Sequence, residues 1–584
     1  MKRLITEGGV SNYAVVTSKF ADEGVLFAAG QLKQYLDAAT DAVVPYFSDR
    51  CEKQCPEICV GENVRGHRED LSALDEEGFL IKTEGENLYI TGKTPRGVIY
   101  GVYKFLEMYI RLRHFNREVE TYDKVETLTV EDITYWENPA FEYRDSYYRG
   151  AFDCDFAVKN RLNSTLAHIP YERGGKRKFY NLHHSFYDIL PPEQYFSSHP
   201  EWYSEIDEER IIKIGHKDTQ LCLTNEEAIA EAIKNVRKWI LARPDCSVFS
   251  IAQNDNIHMC TCENCRKMNE EEGSPAGSVL YFVNAIAGAL EEEFPHILFH
   301  TFAYKYSAPA PRHIKARDNV IVRLCNIECS WEESVEAQAA ADPESPCGGF
   351  AKNIADWSKI CKHLYIWDYA CNFHFYLLPF PNYRVLQENL RYYKKNGVHG
   401  VLQRSNFAYG NTSGFSDLEN YLASRLMWNP EEDVDALIAD YTNACFGKGA
   451  PYIRQLLELL QDRVKGHRMT LYYKPDASFI TDDLVEEMDE LFKKALAAEP
   501  EGDAHNRLAR EALSVEFLRL TRLPLETPGR EEMADALYEK VKAHGITEIF
   551  ERKELIASFQ CLKQVQYCAD KTVGNPMWLY YIMK

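Results

Sequence analysis

Between residues 136 and 430 the sequence repeats one pattern, a short apolar segment followed by an amphipathic helix. Strands buried on both faces are continuous apolar runs, and most of these segments are, which indicates a parallel sheet. Repeated β/α units over this length predict an α/β fold, a (β/α)8 TIM barrel rather than an open doubly wound sheet. The predicted strands are 140–150, 164–170, 220–225, 246–255, 297–304, 320–329, 363–370 and 399–406.

The regions on either side of this repeat differ from it. The amino-terminal region mixes strands and helices, with a hairpin over 78–93 and a helix that begins with Thr94 as N-cap and Pro95 at its first position. The carboxy-terminal region is helical by pattern, and most of its helices carry one apolar stripe and many charges. The predicted domains are an N-terminal small α/β domain (1–135), the barrel (136–430) and a C-terminal helical domain (431–584).

The composition disfavours several classes of protein. The chain has 89 acidic and 67 basic residues and a net charge of −22, so it is poorly suited to bind nucleic acid or an anionic membrane surface. No apolar run approaches the ~20 residues that a membrane-spanning helix needs. Its 17 cysteines, with no secretory signal at the start of the sequence, indicate reduced thiols. We therefore expect a soluble, cytoplasmic protein without nucleic-acid or membrane partners.

Three carboxylates follow predicted strands at the positions where barrels carry their active sites, the carboxyl ends of the strands. They are Asp255, Glu328 and Asp368. Glycoside cleavage needs one acid to protonate the leaving oxygen and a second carboxylate to activate water or attack the sugar. Each carboxylate alone could be a strand-end cap or an ion-pair partner. Together they predict a catalytic site, with Asp255 and Glu328 as the working pair and Asp368 orienting the sugar.

Aromatic, amide and basic side chains at the same strand ends, or in the loops after them, are candidates for binding a glycoside or oligosaccharide. Rings stack on apolar sugar faces, amides bind hydroxyl groups, and arginine pairs with carboxylates in two-point contacts. Paired arginines would favour a uronic acid, but hexosaminide and uronide both stay open, as do retention and inversion. The predicted substrate-binding residues are Arg144, His184, Asn254, Tyr304, Trp367 and Arg404.

The loop after the fourth predicted strand contains three closely spaced cysteines, Cys260, Cys262 and Cys265. Three thiolates so close together could share one ion, and a structural zinc needs a fourth ligand because such sites are four-coordinate. The alternative is three packed thiols without a metal. The candidates for a fourth ligand are His258, which is nearest in sequence, and Cys325 and Cys329 through space.

Several segments resemble known families. ENLYITGKTPRGVIYGVYKFLE (86–107) is similar to the small α/β domain that precedes the barrel in family 20 hexosaminidases and family 67 α-glucuronidases. Over residues 10–440 the chain resembles a bacterial family of barrel proteins, the domain-of-unknown-function group 4838, which is grouped with these glycosidases. The segments that carry this second resemblance are SIAQNDN (250–256), CTCENC (260–265), GSVLYFVN (277–284), WDY (367–369) and DLENYLASRLMWNP (417–430).

The resemblance also bears on the catalytic groups. Family 20 enzymes place an Asp-Glu pair after the fourth strand, where the Asp steers the substrate acetamido group and the Glu acts as the acid. The matching position here is Asn254-Asp255. The resemblance therefore implies that the acid comes from Glu328 or Asp368.

The function predicted from these features is an exo-acting glycoside hydrolase that works on small glycans and requires no cofactor. The motifs of serine hydrolases, HExxH metalloproteases and P-loop proteins are missing from the sequence. Two alternatives stay open at this level. One is a non-catalytic carbohydrate-binding protein on a barrel fold, and the other is a zinc-dependent hydrolase built on the cysteine loop.

Overall fold

The computed structural model describes residues 2–62, 65 and 70–564. Two compact units make up this part of the chain. Unit 1 comprises the described parts of Met1–Lys176, Ala370–Gln387 and Ser405–Lys584, and unit 2 comprises Arg177–Tyr369 and Glu388–Arg404. The predicted division into three domains, with boundaries at residues 135 and 430, stays a prediction.

Strands and helices alternate in the amino-terminal part of unit 1, as the sequence predicts for an α/β region. Six of its strands form one mixed sheet in the order β11-β6-β7-β5-β3-β4. The elements are β1 (Arg3–Glu7), β2 (Val10–Ser11), β3 (Ala14–Thr17), α1 (Glu23–Thr40), β4 (Tyr46–Ser48), β5 (Glu57–Val60), β6 (Phe79–Glu84), β7 (Asn87–Gly92), α2 (Pro95–Ile110), β8 (Arg113–His114), β9 (Glu120–Thr121), β10 (Thr127–Val130), β11 (Thr134–Glu137), β12 (Tyr143–Ser146) and α3 (Cys154–Lys159).

Local sequence signals explain two of these elements. Strands β6 and β7 form an antiparallel hairpin, and Gly85 in its turn has a φ of 57°, in the left-handed region that glycine adopts without steric cost. Helix α2 begins after Thr94, whose hydroxyl accepts a hydrogen bond from the Gly97 N–H, and Pro95 occupies its first turn. Both predictions are confirmed.

A parallel sheet forms the centre of unit 2. Six strands run parallel in the order β13-β18-β19-β20-β21-β22. The elements between residues 177 and 404 are β13 (Phe179–Tyr180), α4 (Phe186–Ile189), α5 (Pro192–Tyr195), β14 (Glu205–Ile206), β15 (Glu209–Arg210), β16 (Lys213–Ile214), β17 (Lys217–Asp218), α6 (Glu226–Ala242), β18 (Val248–Ser250), α7 (Glu263–Glu272), α8 (Ala276–Leu290), β19 (Leu298–Ala303), β20 (Val320–Cys325), α9 (Val335–Ala341), α10 (Pro346–Trp357), β21 (His363–Tyr369), α11 (Tyr383–Lys395) and β22 (Val398–Arg404).

Burial on both faces explains the apolar strands of this sheet. Every residue of β18 and β20 is buried, as expected where helices cover a parallel sheet. Helix α8 buries the stripe that its sequence predicts, from Val279 through Val283 and Ile286 to Leu290. The α/β class and the parallel sheet of the central region are thus confirmed.

Two of the eight predicted strands are wrong, and in each a polar side chain forms hydrogen bonds to backbone groups. In 164–170 the Ser164 hydroxyl accepts hydrogen bonds from the N–H groups of Leu166 and Ala167, at 3.1 and 3.2 Å, which makes a turn. In 220–225 the Gln220 side chain binds the backbone of the loop after β18. Neither segment is a strand in the structure.

Helices make up the regular structure after β22, within the described residues. They are α12 (Ser416–Trp428), α13 (Val434–Phe446), α14 (Ala450–Val464), α15 (Asp482–Ala498), α16 (Gly502–Arg522), α17 (Arg530–Ala543) and α18 (Leu555–Gln564). The predicted helical character of this region is confirmed as far as residue 564. Of the helices in the described ranges, none has the length and apolar character needed to cross a membrane.

Candidate active site

The carboxyl ends of four neighbouring strands in unit 2 carry most of the predicted site. Asp255 lies in the loop after β18, Tyr304 follows β19 directly, and Glu328 lies in the turn after β20. Trp367 and Asp368 are near the end of β21. Because adjacent parallel strands end at one edge of a sheet, the chain brings these side chains to the same edge.

Asp255 forms the contacts at this edge that are most suggestive of chemistry. Its carboxylate accepts a hydrogen bond from the Lys305 ammonium at 2.8 Å and one from the Tyr304 hydroxyl at 3.2 Å. The Asp255 side chain is 60% exposed and that of Lys305 is 27% exposed. The Lys305 ammonium also lies 4.8 Å from the centre of the Tyr304 ring, a cation–π contact. The pair is therefore accessible to a solute.

Lys305 is a residue that the sequence reasoning missed. It opens a short 3₁₀ turn, Lys305–Ser307, and has a φ of 52°, in the left-handed region that costs a non-glycine residue about 1–2 kcal/mol. The Ser307 hydroxyl accepts a hydrogen bond from the Tyr304 N–H at 3.1 Å and donates one to the Gln253 side chain at 2.5 Å. These bonds hold the turn in place. The available signal was position, since Lys305 follows directly after a predicted strand-end residue.

The pKa values of Asp255 and Glu328 shift in opposite directions. Desolvation by neighbouring protein atoms raises the pKa of Asp255, but the hydrogen bond and charge of Lys305 outweigh it, so the net pKa lies below its usual value. Desolvation raises the pKa of Glu328, and a backbone hydrogen bond and the Lys305 charge offset only part of that. Both carboxylates raise the pKa of the Tyr304 phenol, which burial already raises. The surroundings of Asp255 therefore stabilise its ionised form, and those of Glu328 stabilise its protonated form, each relative to the free side chain.

The amides beside Asp255 hold the loop and leave the carboxylate as its outward-facing group. The Gln253 side chain donates a hydrogen bond to the Tyr304 carbonyl at 3.0 Å. The Asn254 side chain donates to the Thr219 carbonyl at 2.7 Å, so its amide nitrogen is used within the protein. The Gln220 side chain accepts from the Asn254 N–H at 2.8 Å. The predicted contact of Asn254 with a sugar stays a prediction.

His184 lies beside the same pair, in the loop after β13. Its Nδ1 is 2.5 Å from the Gln253 carbonyl oxygen, which requires Nδ1 to carry the proton. Burial lowers the pKa of His184, although the Asp255 charge offsets part of this effect. The ring is therefore neutral near neutral pH, and its Nε2 is a hydrogen-bond acceptor. Such an acceptor suits a sugar hydroxyl group, and the predicted contact of His184 with a sugar stays a prediction.

Trp367 and Arg404 are more enclosed than their predicted roles suggest. Trp367 is 6% exposed, and its ring packs 5.4 Å from the ring of His183 and 5.6 Å from that of Phe302. Arg404 is the last residue of β22 and is buried. Their contact with a substrate stays a prediction.

Asp368 has a different environment from Asp255. It is 2% exposed, and its carboxylate accepts hydrogen bonds from Asn326 at 2.6 Å, from the Tyr369 N–H at 2.8 Å, from Gln403 at 3.1 Å and from Tyr393 at 3.3 Å. Burial raises the pKa of Asp368, and these donors oppose that shift. An ionised carboxylate has about four lone-pair sites. The protein itself therefore fills the hydrogen-bonding capacity of Asp368.

Arg144 lies in the interior of unit 1. Its guanidinium pairs with Glu77 and donates hydrogen bonds to the carbonyls of Arg161 at 2.8 Å and Phe141 at 2.6 Å. It also lies 5.1 Å from the centre of the Trp428 ring and is fully buried. These contacts are those of a structural residue, and they leave the predicted binding of a substrate by Arg144 without support from the geometry.

The three predicted metal-binding cysteines of unit 2 do lie together, with a fourth that the sequence reasoning did not consider. Cys260, Cys262 and Cys265 share a buried cluster with Cys222. The three expected candidates for a fourth ligand, His258, Cys325 and Cys329, do not belong to this cluster. The sequence reasoning missed Cys222 because it lies in a segment predicted to be a strand.

An α/β unit with acidic, basic and aromatic side chains at the carboxyl edge of a parallel sheet is typical of enzymes that act on small polar substrates. Comparison with known families defines the protein further. Residues 115–458 match the family model described as a domain of unknown function, DUF4838, and this protein belongs to that family. Residues 10–105 match the glycosyl hydrolase family 67 N-terminus. The two resemblances drawn from the sequence, to group 4838 and to the amino-terminal domain of family 67, are confirmed.

Individual relatives are more distant. The chain is 44% identical to probable α-glucuronidase A of Aspergillus terreus over 39 residues, which are 7% of this chain and 5% of that protein. A chitobiase from Flavobacterium johnsoniae is 12% identical, with a TM-score of 0.45 and coverage of 97% of this chain and 96% of that one. A β-hexosaminidase from Streptomyces plicatus is 11% identical, with a TM-score of 0.42 and coverage of 76% and 90%. At TM-scores below 0.5, these two structures decide neither the fold nor the chemistry.

Proposed function

We propose that this protein is an exo-acting glycoside hydrolase that cleaves small glycans with Asp255 and Glu328, on a (β/α)8 barrel of which the parallel sheet of unit 2 is part. The observation that carries the proposal is the opposite shift of the two pKa values at one sheet edge. Two carboxylates with separated pKa values are what acid–base cleavage of a glycosidic bond requires. The match of the amino-terminal region to a glycosyl hydrolase family supports the same reaction class.

The two shifts assign the roles in this proposal. Glu328, whose pKa is raised, holds its proton to higher pH than a free glutamic acid does and donates it to the leaving oxygen. Asp255, whose pKa is lowered by Lys305, stays ionised and either activates a water molecule or attacks the anomeric carbon. Lys305 is a positioning residue in this scheme, since it keeps Asp255 ionised.

The neighbouring side chains supply contacts for a sugar. The neutral His184 ring offers Nε2 as an acceptor for a hydroxyl group, and the Tyr304 hydroxyl, which donates to Asp255, lies beside it. The substrate in this proposal is a hexosaminide or a uronide. A uronide is the class that the name of the Aspergillus relative indicates.

The test is hydrolysis of a panel of aryl glycosides that includes α- and β-linked glucuronides and N-acetylhexosaminides. We expect turnover of at least one of them by the wild type, and its loss in Asp255→Asn. Asp318→Asn is the matched control, because Asp318 is an exposed aspartate whose lysine partner, Lys362, lies 3.7 Å away. It lies two residues before β20, at the opposite edge of the sheet.

Asp318→Asn should hydrolyse the same glycoside at the wild-type rate. If no glycoside is cleaved but sugars bind measurably, the protein is a carbohydrate-binding module and the proposal is wrong. Equal rates for Asp255→Asn and Asp318→Asn would also contradict it.

A further inference from the structure

Four buried thiols in unit 2 form a group with the dimensions of a metal site. Cys222, Cys260, Cys262 and Cys265 are between 1% and 7% exposed, and their sulfur atoms all lie within 4.8 Å of one another. The Cys222 sulfur lies 3.6 Å from that of Cys262 and 3.9 Å from that of Cys265. They come from two separate segments, the turn before α6 and the loop after β18 together with the first turn of α7.

These separations match a tetrahedral zinc ion. Four sulfur atoms bonded to one zinc at about 2.3 Å, at the corners of a tetrahedron, lie about 3.8 Å apart. Packing alone does not favour a cluster of four free thiols, because each thiol is a small apolar group that packs equally well against aliphatic side chains. The convergence of four sulfurs at this spacing therefore points to a shared ion.

Hydrogen-bond donors surround the sulfurs, as expected for thiolates. The Glu205 N–H and the Arg210 guanidinium donate to the Cys260 sulfur, at 3.3 and 3.6 Å. The Thr224 hydroxyl lies 3.2 Å from the Cys265 sulfur. Second-shell donors of this kind orient ligands and stabilise their charge. Zinc with four thiolates carries two net negative charges, and the Arg210 cation offsets one of them.

We propose that Cys222, Cys260, Cys262 and Cys265 bind one structural zinc ion. Four protein ligands close the coordination shell, and such closed sites are structural, since a catalytic zinc keeps a position for water or substrate. The site does not depend on the proposed glycosidase function, and it speaks against a zinc-dependent hydrolase built on this loop.

The ion would fasten three segments of unit 2 to one another. Glu205 and Arg210 belong to the hairpin of β14 and β15, Cys222 belongs to the turn before α6, and Cys260 lies five residues after Asp255. The loop that carries the candidate catalytic carboxylate would thus be held at its far end by metal coordination.

The experiment is metal analysis of the full-length protein, purified without chelators, together with its cobalt(II) derivative. We expect one zinc ion per chain and, after cobalt exchange, the intense visible and sulfur-to-cobalt charge-transfer bands of a tetrahedral four-thiolate site. Absence of zinc, iron in its place, or disulfides among these four cysteines by thiol counting would each overturn the proposal. None of these readouts uses catalytic activity.

A variant pair tests the ligand assignment. Cys222→Ser should lose the bound zinc and lower the melting temperature. Cys246→Ser should keep one zinc, because Cys246 is equally buried in unit 2 but lies outside the cluster. If Cys222→Ser does not fold, release of zinc from the wild type by a thiol-modifying mercurial, with four thiols modified per zinc, supports the same assignment. Full zinc content in folded Cys222→Ser would contradict it.

Discussion

Asp255 and Asp368 occupy similar places in the sheet and have opposite environments. Both lie at carboxyl ends of strands in unit 2, where the sequence places catalytic groups. The Asp255 side chain is 60% exposed and pairs with one lysine, whereas Asp368 is 2% exposed and accepts four hydrogen bonds from the protein. Position at a strand end therefore does not identify a catalytic carboxylate. Free hydrogen-bonding capacity and access to solvent separate the two.

The largest effect that this comparison predicts is on turnover. Asp255→Asn and Glu328→Gln should each reduce kcat by at least about 10²-fold, because in the proposed mechanism each removes a group needed for proton transfer or bond formation. Asp368→Asn should reduce kcat less than either, since Asp368 has no free site for a substrate. Steady-state kinetics on the glycoside found in the panel measures all three, and circular dichroism checks the fold. An Asp368→Asn variant with the greatest loss among folded proteins would reverse the comparison.

The next effect is on stability, and here a substitution of Asp368 should cost more than one of Asp255. Asp368→Ala would leave the buried donors of Asn326, Tyr393 and Gln403 without their acceptor, and each unsatisfied buried group costs about 1–3 kcal/mol. We expect a loss of at least about 3 kcal/mol in the free energy of unfolding. Asp255→Ala should change stability by less than about 1 kcal/mol, as for an exposed ion pair. Denaturant unfolding measures both, and equal losses would contradict the assignment of Asp368 as structural.

The smallest effect concerns Lys305. Removing its charge in Lys305→Met should raise the pKa of Asp255, because the hydrogen bond and charge of Lys305 are the strongest influences that oppose desolvation. The acidic limb of the kcat/KM profile, where Asp255 becomes protonated, should move to higher pH, with a modest loss of rate near neutral pH. Lys362→Met, at the exposed pair with Asp318, is the control and should leave the profile unchanged. An acidic limb that stays in place in Lys305→Met would show that Lys305 does not set the pKa.

Local signals in the sequence predicted much of the fold. The N-cap Thr94 and the turn glycine Gly85 act on residues close to them in the chain, so their effects are visible in the sequence. Of the two segments wrongly predicted as strands, 164–170 forms a turn because the Ser164 hydroxyl accepts hydrogen bonds from N–H groups of its own segment. In 220–225 the Gln220 side chain binds the backbone of Asn254, a contact 34 residues away that the sequence does not show.

The candidate site was less predictable because its groups are set by contacts between distant residues. Arg144 pairs with Glu77, which is 67 residues away in the chain, and nothing in the sequence reveals that this arginine is already neutralised. Cys222 joins Cys262 from 40 residues away. The left-handed backbone of Lys305 is not a conformation that lysine favours, so its orientation toward Asp255 depends on the surrounding structure.

The most direct test of the central claim is the pH profile of kcat/KM for the wild type, Asp255→Asn and Glu328→Gln, on the glycoside that the wild type cleaves. The wild type should give a bell, whose acidic limb reports the ionisation of Asp255 and whose alkaline limb reports the loss of the Glu328 proton. Asp255→Asn should lose the acidic limb and Glu328→Gln the alkaline limb. If both limbs persist in both variants, or if the limbs are lost in the opposite assignment, Glu328 is not the acid and Asp255 is not the ionised partner.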